Sequence, residues 1–235
     1  MNDMKRLLLC VLCLLLPGLA SAQLRWQEGR HYTLLQPAAP VSTPAGKIEV
    51  AEVFSYGCIY CFRAKGEMQK LKEALPSDAV MTYVHASFVP SEGWPMLQRA
   101  FYTARALGIA DATHEQMFTA IWESGEVPLL DGTTGRMRNP LPTLADAARF
   151  YQKYGAVNPD AFLKLAASKE VDAAVAQAEQ LIKLYKVSGT PSLVVNGRYR
   201  INNETLSSSV EQRQLIDFLI GLERRRLGLP TPAPR

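Results

Sequence analysis

Ile48-Glu49-Val50-Ala51-Glu52-Val53-Phe54-Ser55-Tyr56-Gly57-Cys58-Ile59-Tyr60-Cys61 is the stretch that decides the fold of this chain. Residues 48–56 are apolar and rich in β-branched side chains, the pattern of a buried strand. Gly57 permits a tight turn. Beyond it, Cys61, Ala64, Met68, Leu71 and Leu75 recur at steps of three and four, one apolar helical stripe that Pro76 ends. Cys58 thus falls at a helix N-terminus, where unpaired N–H groups and the helix dipole favour negative charge. A thiolate is such a charge and is the form of cysteine that attacks disulfides. The chemistry this spacing points to is thiol–disulfide exchange.

The N-terminus agrees. Residues 1–22 combine a Lys5-Arg6 charge, an apolar run from Leu7 to Leu16 too short to span a bilayer, and Ala20-Ser21-Ala22. This reads as a signal peptide cleaved after Ala22, so the mature protein is expected to be exported. Of the four cysteines, Cys10 and Cys13 leave with that segment. Cys58 and Cys61 remain, and the tiny loop they close removes little unfolded-state entropy, which argues against a purely structural bridge.

Other uses of the pair lack their partners. No second CxxC or HxxxH accompanies it, and His31, His85 and His114 are scattered singly, so no metal site is expected. A c-type haem would need His after Cys61, where Phe62 stands. With 48% hydrophobic and 20% charged residues, the chain has an ordinary globular composition. A net charge of +4 gives nucleic-acid binding little support, and Arg224-Arg225-Arg226 suit a helix end. Residues 229–235 read as a loose tail.

Outward from the opening stretch, residues 31–35 read as an edge strand and 80–88 as a strand parallel to 48–56 in a right-handed βαβ unit. From Trp94 to Lys186 the pattern is helical. Pro95 suits a first helical turn, Thr113 with Gln116 reads as a capping box, and Thr143, Asn158 and Ser168 read as further helix starts. The connector 124–142, rich in Gly and Pro, reads as a tolerated surface insertion. Ser192–Val195, the Asn196-Gly197 turn and Arg198–Ile201 form a hairpin. A last helix from Ser207 carries Leu215, Phe218, Leu219 and Leu222 on one side.

These segments carry a resemblance. Glu52 to Cys61, Val187-Ser188-Gly189-Thr190-Pro191-Ser192 and Val195-Asn196-Gly197-Arg198-Tyr199 are similar to the DsbA family of periplasmic thiol:disulfide oxidoreductases, as are Met81–Phe88 and Gly29–Thr33. The resemblance spans essentially the whole mature chain. It implies an α/β, thioredoxin-like fold with an inserted helical domain: residues 23–90 and 187–228 in the thioredoxin-like part, 91–186 in the insertion.

It also implies roles. Cys58 would be the exposed nucleophile and Cys61 its buried partner; Thr190-Pro191 would form a cis-proline loop that, with Ile59 and Tyr60, meets the substrate. Glu52 would be the buried acid that exchanges a proton with Cys61. No cofactor is required. The expected partners are reduced, unfolded exported proteins and a DsbB-like, quinone-linked membrane oxidase, with the protein itself a monomer. Ile59-Tyr60 replaces the Pro-His of well-known members, which predicts a weaker oxidant, and Tyr83 stands where many relatives have lysine. The alternative readings are a reductase or isomerase on the same fold and a non-redox peptide-binding chaperone.

Overall fold

The computed structural model describes residues 25–232, so the signal-peptide reading of residues 1–22, the two cysteines within it and the last three residues of the tail lie outside the described residues. Five strands, β1 (Tyr32–Leu34), β2 (Ile48–Phe54), β3 (Ala79–His85), β4 (Ser192–Val195) and β5 (Tyr199–Ile201), form one sheet in the order β1-β5-β4-β2-β3. β2 and β3 are parallel; all other pairs are antiparallel. Every residue of β2 is buried, which is why its sequence is nearly continuous in apolar character rather than alternating.

Helix α1 (Ile59–Ala74) supplies the crossover between β2 and β3, and the stripe read from sequence is its inner face: Cys61, Met68 and Leu71 are buried, with Leu75 buried at the C-cap. Five helices then intervene before β4: α2 (Trp94–Ala106), α3 (His114–Trp122), α4 (Leu144–Gly155), α5 (Pro159–Ala166) and α6 (Lys169–Leu184). A final helix, α7 (Ser209–Leu227), packs against β2 and β4. None of the helices among the described residues is long and apolar enough to cross a membrane.

Several local signals act as the sequence suggested. Thr143 and Asp146 form a capping box on α4, and Asn158 and Ser168 accept from Ala161 and Val171 backbone N–H groups. Asn196 and Gly197 have φ of 50° and 61°, the left-handed pair of a type I′ turn. A Cβ on Gly197 would also strike the Ala39 carbonyl, so two constraints select glycine there.

Other expectations need correction. β2 ends at Phe54 rather than residue 56, because the Tyr56 N–H turns away from the ladder to His85 Nε2 at 3.1 Å. β3 ends at His85, short of residue 88. Thr113 makes no capping box: its hydroxyl donates back to the Ile109 carbonyl at 2.8 Å instead. The 124–142 connector is no plain surface insertion, since Val127 and Leu129 enter the core and Leu130 bridges Met137. On α7 the buried face is Leu215, Ile216, Leu219, Ile220 and Glu223, which leaves Phe218 and Leu222 on its flank. Glu223 sits there because Asn196 and Arg226 donate to it.

Candidate active site

The turn between β2 and α1 holds Cys58 as the N-cap residue, in extended conformation (φ −89°, ψ 114°). Its sulfur takes the place that a Ser or Asp oxygen has in ordinary caps, accepting from the Cys61 N–H at 3.4 Å. Across from it, Thr190 and Pro191 are joined by a cis peptide, and the Cys58 thiol donates to the Thr190 carbonyl at 3.4 Å. The two thiols are unjoined in this structure.

Cys58 is only 5% exposed, beside 1% for Cys61, so the expected exposed nucleophile is a largely covered one. The Thr190–Pro191 loop lying against its sulfur is the reason. Between the cysteines, Ile59 is half-buried and Tyr60 is 64% exposed.

The environment splits two chemically identical thiols. Cys58 is lowered to about 6: the hydrogen bond from the Cys61 side chain is the largest cause, burial opposes it, and the Thr190 side chain and the N–H groups of Cys61 and Tyr60 add to the lowering. Burial, then the bond to Cys58 and that sulfur's charge, push the Cys61 thiol far above the usual range. Arg63 and Lys65 are not among the leading causes at Cys58; Lys65 is engaged instead with Thr119 at 3.4 Å and Glu123 at 3.6 Å.

Glu52 is 3% exposed on β2, opposite Tyr83 of β3. Burial raises its carboxyl to about 8, with Glu115 and Cys58 adding to the rise and Lys72 opposing it. The Lys72 ammonium lies 5.2 Å over the Tyr83 ring, and His114 stacks on the same ring at 4.5 Å. A cation thus reaches this corner from α1, although the strand position itself carries tyrosine.

Sequence reading missed the groups that clamp the turn. His85 accepts the Tyr56 N–H on Nε2, and its Nδ1 lies 2.9 Å from the Ala86 carbonyl, a bond that needs the proton on Nδ1. Burial lowers this imidazole to about 3, which keeps it neutral. Trp122 donates its indole N–H to the Tyr56 carbonyl at 2.8 Å and stacks on Phe62 at 6.0 Å. Trp94 packs so closely on Gly57 that an added Cβ would lie 2.6 Å from its Nε1. The only advance signal was Gly57 itself, a residue without Cβ immediately before Cys58.

Thiols divided in this way, at a helix start on this sheet, define the class: a thioredoxin-fold thiol:disulfide oxidoreductase. The family profile of the DSBA-like thioredoxin domain matches residues 49–217. Among curated relatives, thiol:disulfide interchange protein DsbA of Pseudomonas syringae pv. tomato is 33% identical over 198 residues, covering 84% of this chain and 85% of its own. DsbA of Azotobacter vinelandii is 33% identical over 83% of this chain and 84% of its own. Among solved structures, the oxidoreductase DsbA from Xylella fastidiosa superposes with a TM-score of 0.73 at 32% identity, covering 85% of this chain and 98% of its own. The chain belongs to the DsbA-like family and is a thiol:disulfide oxidoreductase.

Proposed function

We propose that the protein donates a Cys58–Cys61 disulfide to reduced cysteines of unfolded exported proteins in the periplasm. The observation that carries this reading is the position of Cys58 as N-cap of α1, its sulfur accepting from the Cys61 N–H, a setting in which its thiol is lowered. A client thiolate attacks Cys58 Sγ; the Cys58–Cys61 bond breaks, a Cys58–client disulfide forms, and Cys61 leaves with the electron pair. Cys61, which binds its proton tightly, takes one from neutral Glu52, and Glu52 is reprotonated from water. A second client thiolate then attacks the client sulfur of the mixed disulfide, and Cys58 departs as a stabilised thiolate. The client gains one disulfide; the protein is left as a dithiol.

In this reading Thr190, Pro191, Ile59 and Tyr60 form the contact surface for the client. Residues 23–90 and 187–228 act as the catalytic domain, and residues 91–186 as a helical domain that braces the reactive turn. The signal segment is removed after Ala22, the protein works as a monomer without a cofactor, and a DsbB-like membrane oxidase passes the electrons to quinone.

The test is the equilibrium reduction potential of the mature protein against glutathione at about pH 7. A value nearer about −120 mV, as for DsbA-type oxidants, supports disulfide donation; one near about −270 mV, as for thioredoxin, reassigns the protein as a reductase or isomerase. The Ile59-Tyr60 dipeptide places the expected value on the less oxidising side of −120 mV by roughly tens of mV, because one lost hydrogen bond to the thiolate is worth on the order of 1–3 kcal/mol.

A further inference from the structure

Lys72 stands in the last turn of α1, half-buried, where a lysine would ordinarily extend into solvent and complement the helix dipole. Its ammonium instead lies 5.2 Å from the centre of the Tyr83 ring. Lys65 and Lys70 on the same helix are paired with Glu123 and Glu67, whereas Lys72 has no carboxylate at pairing distance among the described residues. A cation–π contact at a partly exposed site is a weak tether, so the place of this charge has to be explained by what lies beside the ring.

Beside it is Glu52. Tyr83 and Glu52 are register partners on the parallel strands β3 and β2, so their side chains leave the same face of the sheet from strands about 4.8 Å apart. The helix that covers this face carries both Lys72 and buried Cys61. The other ionisable groups of the corner are neutral or acidic. His114, at the start of α3, stacks on the Tyr83 ring at 4.5 Å; burial, then the Lys72 charge, lowers it to about 3, so its imidazole is uncharged. Burial raises the Tyr83 phenol, and Glu52, Asp111 and Glu115 add to that rise. At Glu52 itself, Glu115 and Cys58 act with burial, and Lys72 opposes them.

The exchange reaction proposed above creates a charge at this spot. When the Cys58–Cys61 bond breaks and the Cys61 sulfur takes the Glu52 proton, a carboxylate is left in the interior until water restores the proton. A buried carboxylate is costly without a cation, and Glu115 nearby makes it more so. We propose that Lys72 is a positioning residue of this reaction: its ammonium, held over the Tyr83 ring, stabilises the carboxylate that Glu52 becomes on handing its proton to Cys61. Lys72 favours the charged form of Glu52 and leaves the neutral form almost untouched, which makes Glu52 a stronger acid at the moment of transfer. A direct ion pair would hold Glu52 ionised and leave it no proton to give; the Tyr83 ring keeps the cation near without that contact. This role rests on Glu52 being the proton donor of the proposed reaction.

The test is the rate at which the disulfide form of the mature protein forms a mixed disulfide with reduced glutathione, expressed per glutathione thiolate, from about pH 5 to pH 10. In the parent protein this rate should fall where Glu52 loses its proton. Loss of an opposite charge beyond direct contact should raise the proton affinity of Glu52 by about three- to tenfold. In Lys72→Met the fall should therefore move up by about half to one pH unit. At about pH 5 the same variant should react about two- to threefold more slowly, because a weaker acid transfers its proton less readily. Lys72→Gln should match it, and Lys72→Arg should restore the parent profile. Lys70→Met, at an exposed position, should leave the profile unchanged. In Glu52→Gln the fall should be absent, and adding Lys72→Met should change nothing further.

A fall that is lost in Glu52→Gln but unmoved in both Lys72→Met and Lys72→Gln overturns the role of Lys72 and leaves Glu52 as the donor. So does a Lys72→Met substitution that slows the Glu52→Gln protein as much as the parent. A fall that persists in Glu52→Gln removes Glu52 as the donor, and the role of Lys72 goes with it.

Discussion

Replacing Glu52 by glutamine isolates the cost of keeping an acid under the cysteines. An exposed glutamate in the unfolded chain loses its proton near 4.5, whereas burial holds the folded carboxyl at about 8. Between those values the folded state keeps a proton that the unfolded state has released. Fewer protons are bound in the unfolded state, so stability falls as pH rises through this window and levels off above it. At about 1.36 kcal/mol for each pH unit, the penalty is about 3 kcal/mol at pH 7 and approaches about 5 kcal/mol beyond pH 8. Glutamine cannot ionise and escapes the penalty, and any packing difference of the amide is a constant offset.

Urea unfolding of both proteins in the dithiol form, the state in which Cys58 adds to the rise at Glu52, at about pH 4, 6 and 8, reads this directly. The stability gained by Glu52→Gln should be smallest near pH 4 and grow by several kcal/mol toward pH 8. A difference that stays flat across the three conditions would refute the claim that Glu52 is neutral in the folded protein at pH 7.

Three further outcomes follow from the same geometry. Gly57→Ala sets a methyl group against the Trp94 ring, and overpacking there should cost about 1–3 kcal/mol by urea titration and slow exchange with a model disulfide. Iodoacetamide should modify the reduced protein at Cys58 alone, with a rate that reaches half its maximum near pH 6, while Cys61 stays silent; equal labelling at both positions by mass spectrometry would contradict the division of the thiols. Trp122→Phe removes the donor to the buried Tyr56 carbonyl and should destabilise the protein by about 1–3 kcal/mol, with a larger loss in exchange rate than a comparable change far from the turn.

What was legible in the sequence was local. The strand Ile48–Phe54, the helix beginning after Cys58 and the Asn196-Gly197 turn each follow from neighbours within a few residues, as does the burial of Glu52 amid apolar side chains. The clamp on the turn was hidden because it is made of distant pairs. His85 reaches Tyr56 from the neighbouring strand, and Trp122 reaches it from α3. In a single sequence a lone histidine or tryptophan with apolar neighbours reads as core filling. The buried Glu223 was equally hidden, since its acceptability on an inner helical face depends on Asn196 in the hairpin turn. The exposure of Cys58 was expected from the family resemblance, and no residue near it in sequence announces the Thr190 loop that folds over it.

The unequal thiols also separate the roles of the groups around them. In the reaction proposed above, a client attacks Cys58 and the leaving sulfur is Cys61, whose high proton affinity makes it a poor leaving group unless a proton arrives. Glu52, neutral near pH 7 and buried on the strand that leads into the cysteine turn, suits that need. When the mixed disulfide is resolved, the leaving sulfur is Cys58, already stabilised by the helix start and Thr190, and no proton is required. An acid is thus needed for the first half of the reaction and not for the second. Glu52→Gln should therefore slow mixed-disulfide formation while leaving its resolution unchanged, a split that a purely structural role for Glu52 would not produce.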